Sequence, residues 1–144
     1  MATAKYDYLH YRMTVMDDIE QIEPNEYFNT ASKDFIIQGF TILPTLKAWT
    51  VLNGAKIVAI ILANEFYKDF YAIGIIVCNG IKFSELKYIK KTIKELVDIT
   101  GAKYVYSEGE THPVKDRFHE FMGFELEKDL LGKFKKWKLK GTEV

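Results

Sequence analysis

The sequence predicts a single-domain α+β fold in which a mixed, mostly antiparallel sheet of about seven strands is flanked by about four helices. Three observations lead to this prediction. Apolar residues recur every two residues in some segments and every three to four in others, as in strands and helices. An Asn-Gly pair separates two β-branched runs, as in a β-hairpin. No linker or repeat interrupts the 144 residues, a length that suits one domain.

Composition narrows the classes of function. Twenty Lys and Arg residues balance twenty Asp and Glu residues, so a general polyanion binder is not expected and nucleic acid is not the predicted partner. The single cysteine, Cys78, excludes an intramolecular disulfide. No apolar run approaches the ~20 residues of a membrane span, and the polar segment 1–12 has no apolar core of the kind found in signal peptides. We therefore expect a cytoplasmic protein without a membrane partner.

The first third of the chain predicts one strand and two helices. Aromatic residues over 6–13 favour a short strand. Thr14 and Asp17 have the spacing of a helix N-terminal box, which predicts a first helix over 15–27 that Pro24 ends or bends. A second helix is expected over 32–39, between a serine cap and a glycine stop.

The centre of the chain contains the strongest local signal. Residues 48–52 and 56–62 flank Asn53-Gly54, which predicts a hairpin with a tight turn at these two residues. The apolar run 70–77 predicts a buried central strand. Residues 84–100 then follow the helical period, with lysines on the outer face.

The last third predicts a strand, a helix and a terminal hairpin. Residues 103–107 favour a strand, and 113–122 favour a helix that begins with proline and stops at Gly123. Residues 124–130 and 134–139 complete the hairpin. The domain is expected to span 1–140, with 141–144 as a loose tail.

This order resembles that of the GNAT superfamily of acetyl-CoA-dependent N-acetyltransferases. Tyr11-Arg12-Met13-Thr14, followed by Asp18-Ile19-Glu20, is similar to its opening strand and helix. Residues 49–62 are similar to its central hairpin, and 118–125 are similar to its late helix and the Gly-Phe pair that follows. The resemblance implies a GNAT-like fold and the transfer of an acetyl group from acetyl-CoA to an amine.

The resemblance also implies where the cofactor would bind. In this superfamily a glycine-rich loop after the fourth strand and the next helix N-terminus hold the cofactor pyrophosphate. The corresponding residues here are Val77, Asn79, Gly80, Lys82 and Ser84. Gly80 is the only glycine in this loop, so whether acetyl-CoA binds is left open.

Two residues are candidates for acid–base catalysis. The resemblance places Glu108 where substrate meets cofactor, as the general base, and His119 where the superfamily carries an acid that protonates the thiolate. A lone histidine on a helix is more often structural, and 108–112 also suit a solvated polar turn. Cys78 is expected to be a buried hydrophobe rather than a nucleophile. No histidine pair has zinc-enzyme spacing, and no metal is predicted.

The lysine-rich segment 133–140 allows two interpretations. Lysines interleaved with Phe134 and Trp137 can stack and pair with single-stranded nucleic acid. The favoured interpretation is that Trp137 and Leu139 face the core, while the lysines form a charged edge that discourages strand addition.

The outline from Ser84 to Leu139 further resembles the internal virion protein A family of short-tailed bacteriophages and related phage acyltransferase-like proteins. Two functions follow as expectations. The first is a phage-encoded GNAT-fold protein with a degenerate acetyl-CoA loop, located in the host cytoplasm or the virion. Such a protein acts by binding other proteins, including virion components. The alternative is an active N-acetyltransferase with Glu108 as base and His119 as acid.

Overall fold

The computed structural model describes residues 7–26 and 33–142. This part of the chain folds into seven strands and four helices, which confirms the predicted α+β class. In chain order the elements are β1 (Leu9–Met13), α1 (Met16–Gln21), α2 (Lys33–Ile42), β2 (Leu46–Asn53), β3 (Lys56–Tyr67), β4 (Phe70–Val77), α3 (Phe83–Thr100), β5 (Tyr104–Glu110), α4 (Pro113–Met122), β6 (Phe124–Leu130) and β7 (Phe134–Leu139).

The strands form one sheet in the order β1-β2-β3-β4-β5-β7-β6. Every neighbouring pair is antiparallel except β4 and β5, which are parallel. These two strands pair only from Phe70–Tyr104 to Ala72–Tyr106. Beyond that point β4 remains paired with β3, and β5 with β7, so a V-shaped gap opens in the middle of the sheet.

Helices cover both faces of the sheet. On one face the buried residues Ile89, Ile93 and Leu96 of α3 lie against the hairpin and β5. On the other face α1 contacts β3, α2 contacts β2, and Asp18 of α1 hydrogen-bonds Thr50 of β2. The alternating side chains of β2 and β3 thus reach apolar neighbours on both sides, which explains their long buried runs.

The first helix is shorter than predicted. Helix α1 ends at Gln21 rather than at residue 27, because the following residues pair with the end of β4 through a bridge between Pro24 and Cys78. Asp17 is also not the residue that completes the N-terminal box. The carboxylate of Asp18 accepts the backbone N–H of Val15 at 2.9 Å instead.

Three other boundaries differ from the sequence prediction. Helix α2 continues through Gly39 to Ile42, while the expected cap Ser32 lies outside the described residues. The hairpin turn is centred on Gly54–Ala55, because Asn53 pairs with Lys56 in the ladder. Strand β5 extends to Glu110, so the predicted polar turn at 108–110 is strand.

Thr142, which lies in the segment predicted to be a loose tail, packs against the domain. This side chain is buried, and its hydroxyl accepts the N–H of Val105 at 3.2 Å and donates to the Leu139 carbonyl at 2.7 Å. Residues 143–144 of the predicted tail lie outside the described residues.

Candidate functional site

The V-shaped gap between β4 and β5 contains a cavity of about 110 Å³. Its floor comes from the two diverging strands and its wall from α4, which packs beside the gap. The lining residues are Gly74, Ile75, Ser107, Glu108, Gly109, Lys115, Phe118, His119 and Phe124. Glu108 and His119 are therefore both among the residues that border this cavity.

The register of β4 decides which backbone groups face the gap. Cys78 donates its N–H to the Val58 carbonyl at 2.9 Å, and pairing in an antiparallel ladder alternates along the strand. Gly74 and Ile76 therefore bond to β3, while the backbone N–H and carbonyl of Ile75 point into the gap. The β4–β5 ladder ends at Ala72–Tyr106, so within residues 7–26 and 33–142 the backbone of Ile75 has no strand partner on that side.

His119 is held by hydrogen bonds at both ring nitrogens. Nδ1 lies 2.9 Å from the carbonyl oxygen of Lys115, and Nε2 lies 3.1 Å from Oγ of Ser107 on β5. A carbonyl only accepts, so Nδ1 carries the hydrogen, and in the neutral ring Nε2 accepts the hydroxyl hydrogen of Ser107. His119 is thus already the partner of a hydroxyl group.

Aromatic packing fixes the orientation of this imidazole. The ring stacks on Trp137 with 5.0 Å between centroids and 1° between planes, and it meets Phe124 edge-on at 5.7 Å. Burial lowers the pKa of His119, and the Lys115 carbonyl and the Asp116 charge only partly oppose that effect. The neutral ring is therefore the dominant form at pH 7, which favours a base over a proton donor.

Glu108 lies on the opposite face of β5 from Ser107, because side chains alternate along a strand. It borders an open groove of about 470 Å³ that is lined by strand residues and by no residue of a described helix. We call this the aromatic groove; its residues are Phe66, Tyr67, Phe70, Tyr104, Tyr106, Glu108, Glu127 and Lys136. The Nζ atom of Lys136 lies 4.7 Å from the Tyr106 ring centroid and 3.2 Å from Glu127.

The far end of the gap is filled by the chain itself. Val77 accepts the N–H of Asn25 at 2.6 Å, and Asn79 donates its N–H to the Glu23 carbonyl at 2.7 Å. These bonds lie on the side of β4 away from β3, where β5 would otherwise continue. Residues 23–25 thus occupy the edge of β4 beside two predicted cofactor residues, Val77 and Asn79.

The start of α3 is occupied by a buried carboxylate. Glu85 is fully buried and accepts the backbone N–H of Lys82 at 2.8 Å and the side-chain amide of Asn53 at 3.0 Å. Lys56 adds a cationic contact at 3.5 Å. A negative group therefore already caps the positive end of the helix dipole.

A second carboxylate approaches the same helix start from the N-terminal segment. Asp7 accepts the hydroxyl of Ser84 at 2.6 Å and the ammonium of Lys82 at 3.3 Å. The bond from Ser84 is the main cause that lowers the pKa of Asp7, so this group is ionised at neutral pH. The side chains of both Lys82 and Ser84 are thus engaged with an acidic residue of the chain.

These contacts test whether the predicted loop fits a pyrophosphate. Backbone groups of Val77, Asn79 and Lys82 and the side chains of Lys82 and Ser84 are bonded within the chain. Gly80 alone meets the expectation of an open position, with a φ of +71° and no atom within 4 Å of an added Cβ. Two carboxylates at this helix start would repel a diphosphate, so this arrangement does not fit the pyrophosphate of acetyl-CoA.

The remaining candidates have structural surroundings. Cys78 is buried, and burial raises the pKa of its thiol, as expected for a small core hydrophobe. Trp137 and Leu139 are buried as predicted. The lysines of β7 do not protect a sheet edge, because β6 lies outside β7.

The β7 lysines are instead paired with acidic side chains. Lys135 contacts Asp116 at 2.6 Å, and Lys138 contacts Glu125 at 3.7 Å. Over residues 7–26 and 33–142, no three histidine, cysteine or acidic side chains come together as a metal site. In the same ranges, no helix has the length and apolarity to cross a membrane.

Sequence reasoning missed three residues of this region. Ser107, Asp7 and Glu85 acquire their roles through partners 12, 77 and 3 positions away, respectively. Only the spacing of Lys82 and Glu85, which is that of a capping box, was visible as a local signal. The Ser107 contact depends on how α4 lies across β5, which no local pattern encodes.

Comparison with known proteins supports the fold. No family model and no curated protein matches the sequence. Ard1 from Thermoplasma volcanium is similar in structure, with a TM-score of 0.73 and 14% identity over 90% of this chain and 95% of that one. A Vibrio cholerae spermidine N-acetyltransferase variant gives 0.65 and 14% over 91% and 92%.

A third similar structure is a Desulfovibrio desulfuricans protein described as an acetyltransferase of the GNAT family. It gives a TM-score of 0.68 and 14% identity over 91% of this chain and 98% of that one. At such low identities the likeness concerns the path of the chain and not its activity. The opened sheet, the helix order and these structural neighbours together show that this chain has the GNAT acetyltransferase fold.

Proposed function

We propose that this protein is a phage-encoded, acyltransferase-like protein that keeps the GNAT fold and acts by binding another protein, in the virion or as an accessory factor. The observation that carries the proposal is that the groups which the resemblance assigns to acetyl-CoA are bonded to the chain's own Asp7, Glu85 and residues 23–25. To bind a diphosphate, these groups would have to give up their intramolecular bonds and be ordered again around the ligand, which costs free energy. The carboxylates would also repel the negative charge of the diphosphate.

The aromatic groove supplies a surface for a protein partner. Phe66 and Tyr67 expose 54% and 76% of their surface, next to a row of rings that continues through Phe70, Tyr104 and Tyr106. Tyrosine and phenylalanine are enriched at protein interfaces, where large rings bury much area at small entropic cost. The charged residues at the rim of the groove, Glu108, Glu127 and Lys136, would orient a polar segment of the partner protein.

Calorimetric titration with acetyl-CoA and with free coenzyme A tests the first half of the proposal. We expect no saturable heat, because the binding groups have intramolecular partners. Saturable binding of either compound at micromolar strength, about −8 kcal/mol, would overturn this part of the proposal.

Affinity capture tests the second half, with virion lysate and host lysate as separate sources. The tagged chain is compared with a Phe66→Ser, Tyr67→Ser variant and with Ile99→Ser, which changes an exposed apolar residue on α3 that does not line the groove. We expect one protein to be retained by the wild type and by Ile99→Ser and lost by the groove variant. Identical captures by all three would contradict an interface at the groove.

The neighbouring genes test the phage assignment separately. Neighbours that encode virion proteins would support it, and neighbours that encode metabolic enzymes would oppose it.

One observation favours the alternative of an active N-acetyltransferase. The gap between β4 and β5 opens at Glu108, as that function requires, and the cavity reaches His119. The same titration separates the alternatives, because an active enzyme must bind its acyl donor. If binding is found, unchanged turnover in both Glu108→Ala and His119→Ala would remove these two residues from the mechanism.

A further inference from the structure

We propose that Ser107 is a nucleophile that accepts a short acyl group from a small activated carboxylic ester, with His119 as its general base. This inference does not depend on the protein-binding proposal, which uses the aromatic groove, or on acetyl-CoA, because the acyl donor is a small ester. It rests on the Ser107–His119 hydrogen bond, on the fixed tautomer of the imidazole and on the cavity that both side chains line.

The two side chains have the arrangement of a nucleophile, its base and a group that orients the base. Ser107 Oγ lies 3.1 Å from Nε2 of His119, and Nδ1 lies 2.9 Å from the Lys115 carbonyl. Because Nδ1 holds its hydrogen against that carbonyl, the lone pair of Nε2 is directed at the serine hydroxyl. The stack on Trp137 prevents the ring from turning away.

The cavity selects a small acyl group. Its volume of about 110 Å³ is below the ~150 Å³ of a cavity that holds benzene, so a short chain fits better than a long one. Phe118 and Phe124 give it an apolar wall. Gly74 and Gly109 contribute no side chain, which leaves room beside the hydroxyl.

The backbone supplies an electrostatic partner for the reaction. The N–H of Ile75 faces the gap from the strand opposite Ser107, as the β4 register requires. A fixed N–H group directed at such a site stabilises the negative charge that develops on a carbonyl oxygen under attack.

The reaction step follows from these positions. Ser107 Oγ forms a bond to the carbonyl carbon of the ester while its proton moves to Nε2 of His119. The tetrahedral intermediate then expels the alcohol part, which takes the proton from His119 and leaves. The products are an acyl ester on Ser107 and a free alcohol, with no change of oxidation state. Water or an amine can release the acyl group by the reverse sequence of proton transfers.

The test uses p-nitrophenyl acetate with the full-length protein. We expect release of p-nitrophenolate with an initial burst of one equivalent per chain. Peptide mapping should place one acetyl group on Ser107, and alkaline hydroxylamine should remove it. Alkaline hydroxylamine cleaves esters and leaves acetylated lysines intact, so background labelling of lysines is distinguished. p-Nitrophenyl octanoate should give at least a tenfold smaller burst rate because its chain exceeds the cavity.

Variants separate a reactive pair from a structural hydrogen bond. Ser107→Ala should abolish the hydroxylamine-sensitive label, and His119→Gln should slow it at least tenfold. Ser107→Cys should restore acylation as a thioester. Thr41→Ala, which changes an exposed hydroxyl on α2, should react as the wild type does. Labelling of Ser107 at an equal rate in His119→Gln, or no Ser107 label in a wild-type protein that is folded by circular dichroism, would overturn the proposal.

Discussion

Asp18 ties the start of α1 to the sheet through several donors. Its buried carboxylate accepts both Arg12 guanidinium nitrogens, at 2.7 and 2.9 Å, and the Thr50 hydroxyl at 2.7 Å. We expect Asp18→Asn to lower the free energy of unfolding by about 2 kcal/mol, because the amide cannot accept all of these bonds. Urea denaturation measures the change. Asp17→Asn, at the exposed neighbouring residue, should change stability by less than about 0.5 kcal/mol.

The same contacts predict that the protein loses stability at low pH. Burial alone would raise the pKa of Asp18, but the bonds from Arg12, Val15 and Thr50 lower it below its ordinary value. The unfolded chain, with a carboxyl pKa of about 3.9, therefore binds the proton more readily. The contribution of Asp18 is present above about pH 4 and is lost as the pH falls through the lower folded pKa. A wild-type acid transition no steeper than that of Asp18→Asn would contradict this account.

His119 predicts a second loss of stability on acidification, at a higher pH than that of Asp18. Burial lowers its pKa in the folded protein, with Lys115 and Asp116 on its own helix as the charged groups that act on it. The unfolded chain then binds more protons just below pH 6.5, so stability falls as the pH drops through that value. His119→Gln should reduce this dependence between pH 7.5 and 5.5. An NMR titration that gives His119 a pKa above 6.5 would contradict it.

Helix α3 depends on the buried carboxylate in its first turn. Glu85 accepts the Lys82 N–H and the Asn53 amide, so Glu85→Ala leaves two donors without their acceptor. We expect a loss of about 2 kcal/mol in the free energy of unfolding. Asp98→Ala on the exposed face of the same helix is the control and should have little effect. Equal, small effects of both changes would show that the cap contributes little.

The gap between β4 and β5 predicts a difference in amide hydrogen exchange between neighbouring residues of β4. Gly74 donates to β3, while the N–H of Ile75 faces the gap, as the alternating ladder requires. Amide hydrogen exchange of Ile75 should therefore be at least tenfold faster than that of Gly74 and Ile76 under native conditions. Equal protection of these three amides would mean that β5 or another segment pairs with β4 there.

At the scale of the whole molecule, the aromatic groove is an exposed surface, and we expect it to contribute little to the free energy of unfolding. Tyr67 lies at the open side of the aromatic groove, whereas Tyr71, on the next strand, is buried in the core. We expect Tyr67→Ser to change the free energy of unfolding by less than about 0.5 kcal/mol and Tyr71→Ser to lower it by about 3 kcal/mol. Thermal and urea denaturation compare the two. A large effect of Tyr67→Ser would make the groove a structural feature instead of a binding surface.

Local patterns determined most of the element order. The apolar run of β4, the amphipathic period of α3 and the Pro113–Gly123 boundaries of α4 each act within a few residues, so periodicity and caps reveal them. Where prediction was wrong, a distant partner decided the outcome. Helix α1 stops early because residues 23–25 pair with β4, and β5 lengthens because β7 pairs with it up to Glu110. Tertiary hydrogen bonds outweighed local propensity at both places.

The sequence alone determined the fold class, the burial of Cys78, Trp137 and Leu139, and the two candidate residues Glu108 and His119, since periodicity and the resemblance need no knowledge of distant contacts. Only the tertiary structure decided what surrounds them. It joined His119 to Ser107, placed Glu108 on the other face of β5, and set Asp7 and Glu85 against the start of α3. The physical reason is that a hydrogen bond depends on positions within a few tenths of an ångström. Such positions are fixed when helices pack across a sheet, and not by the spacing of residues along the chain.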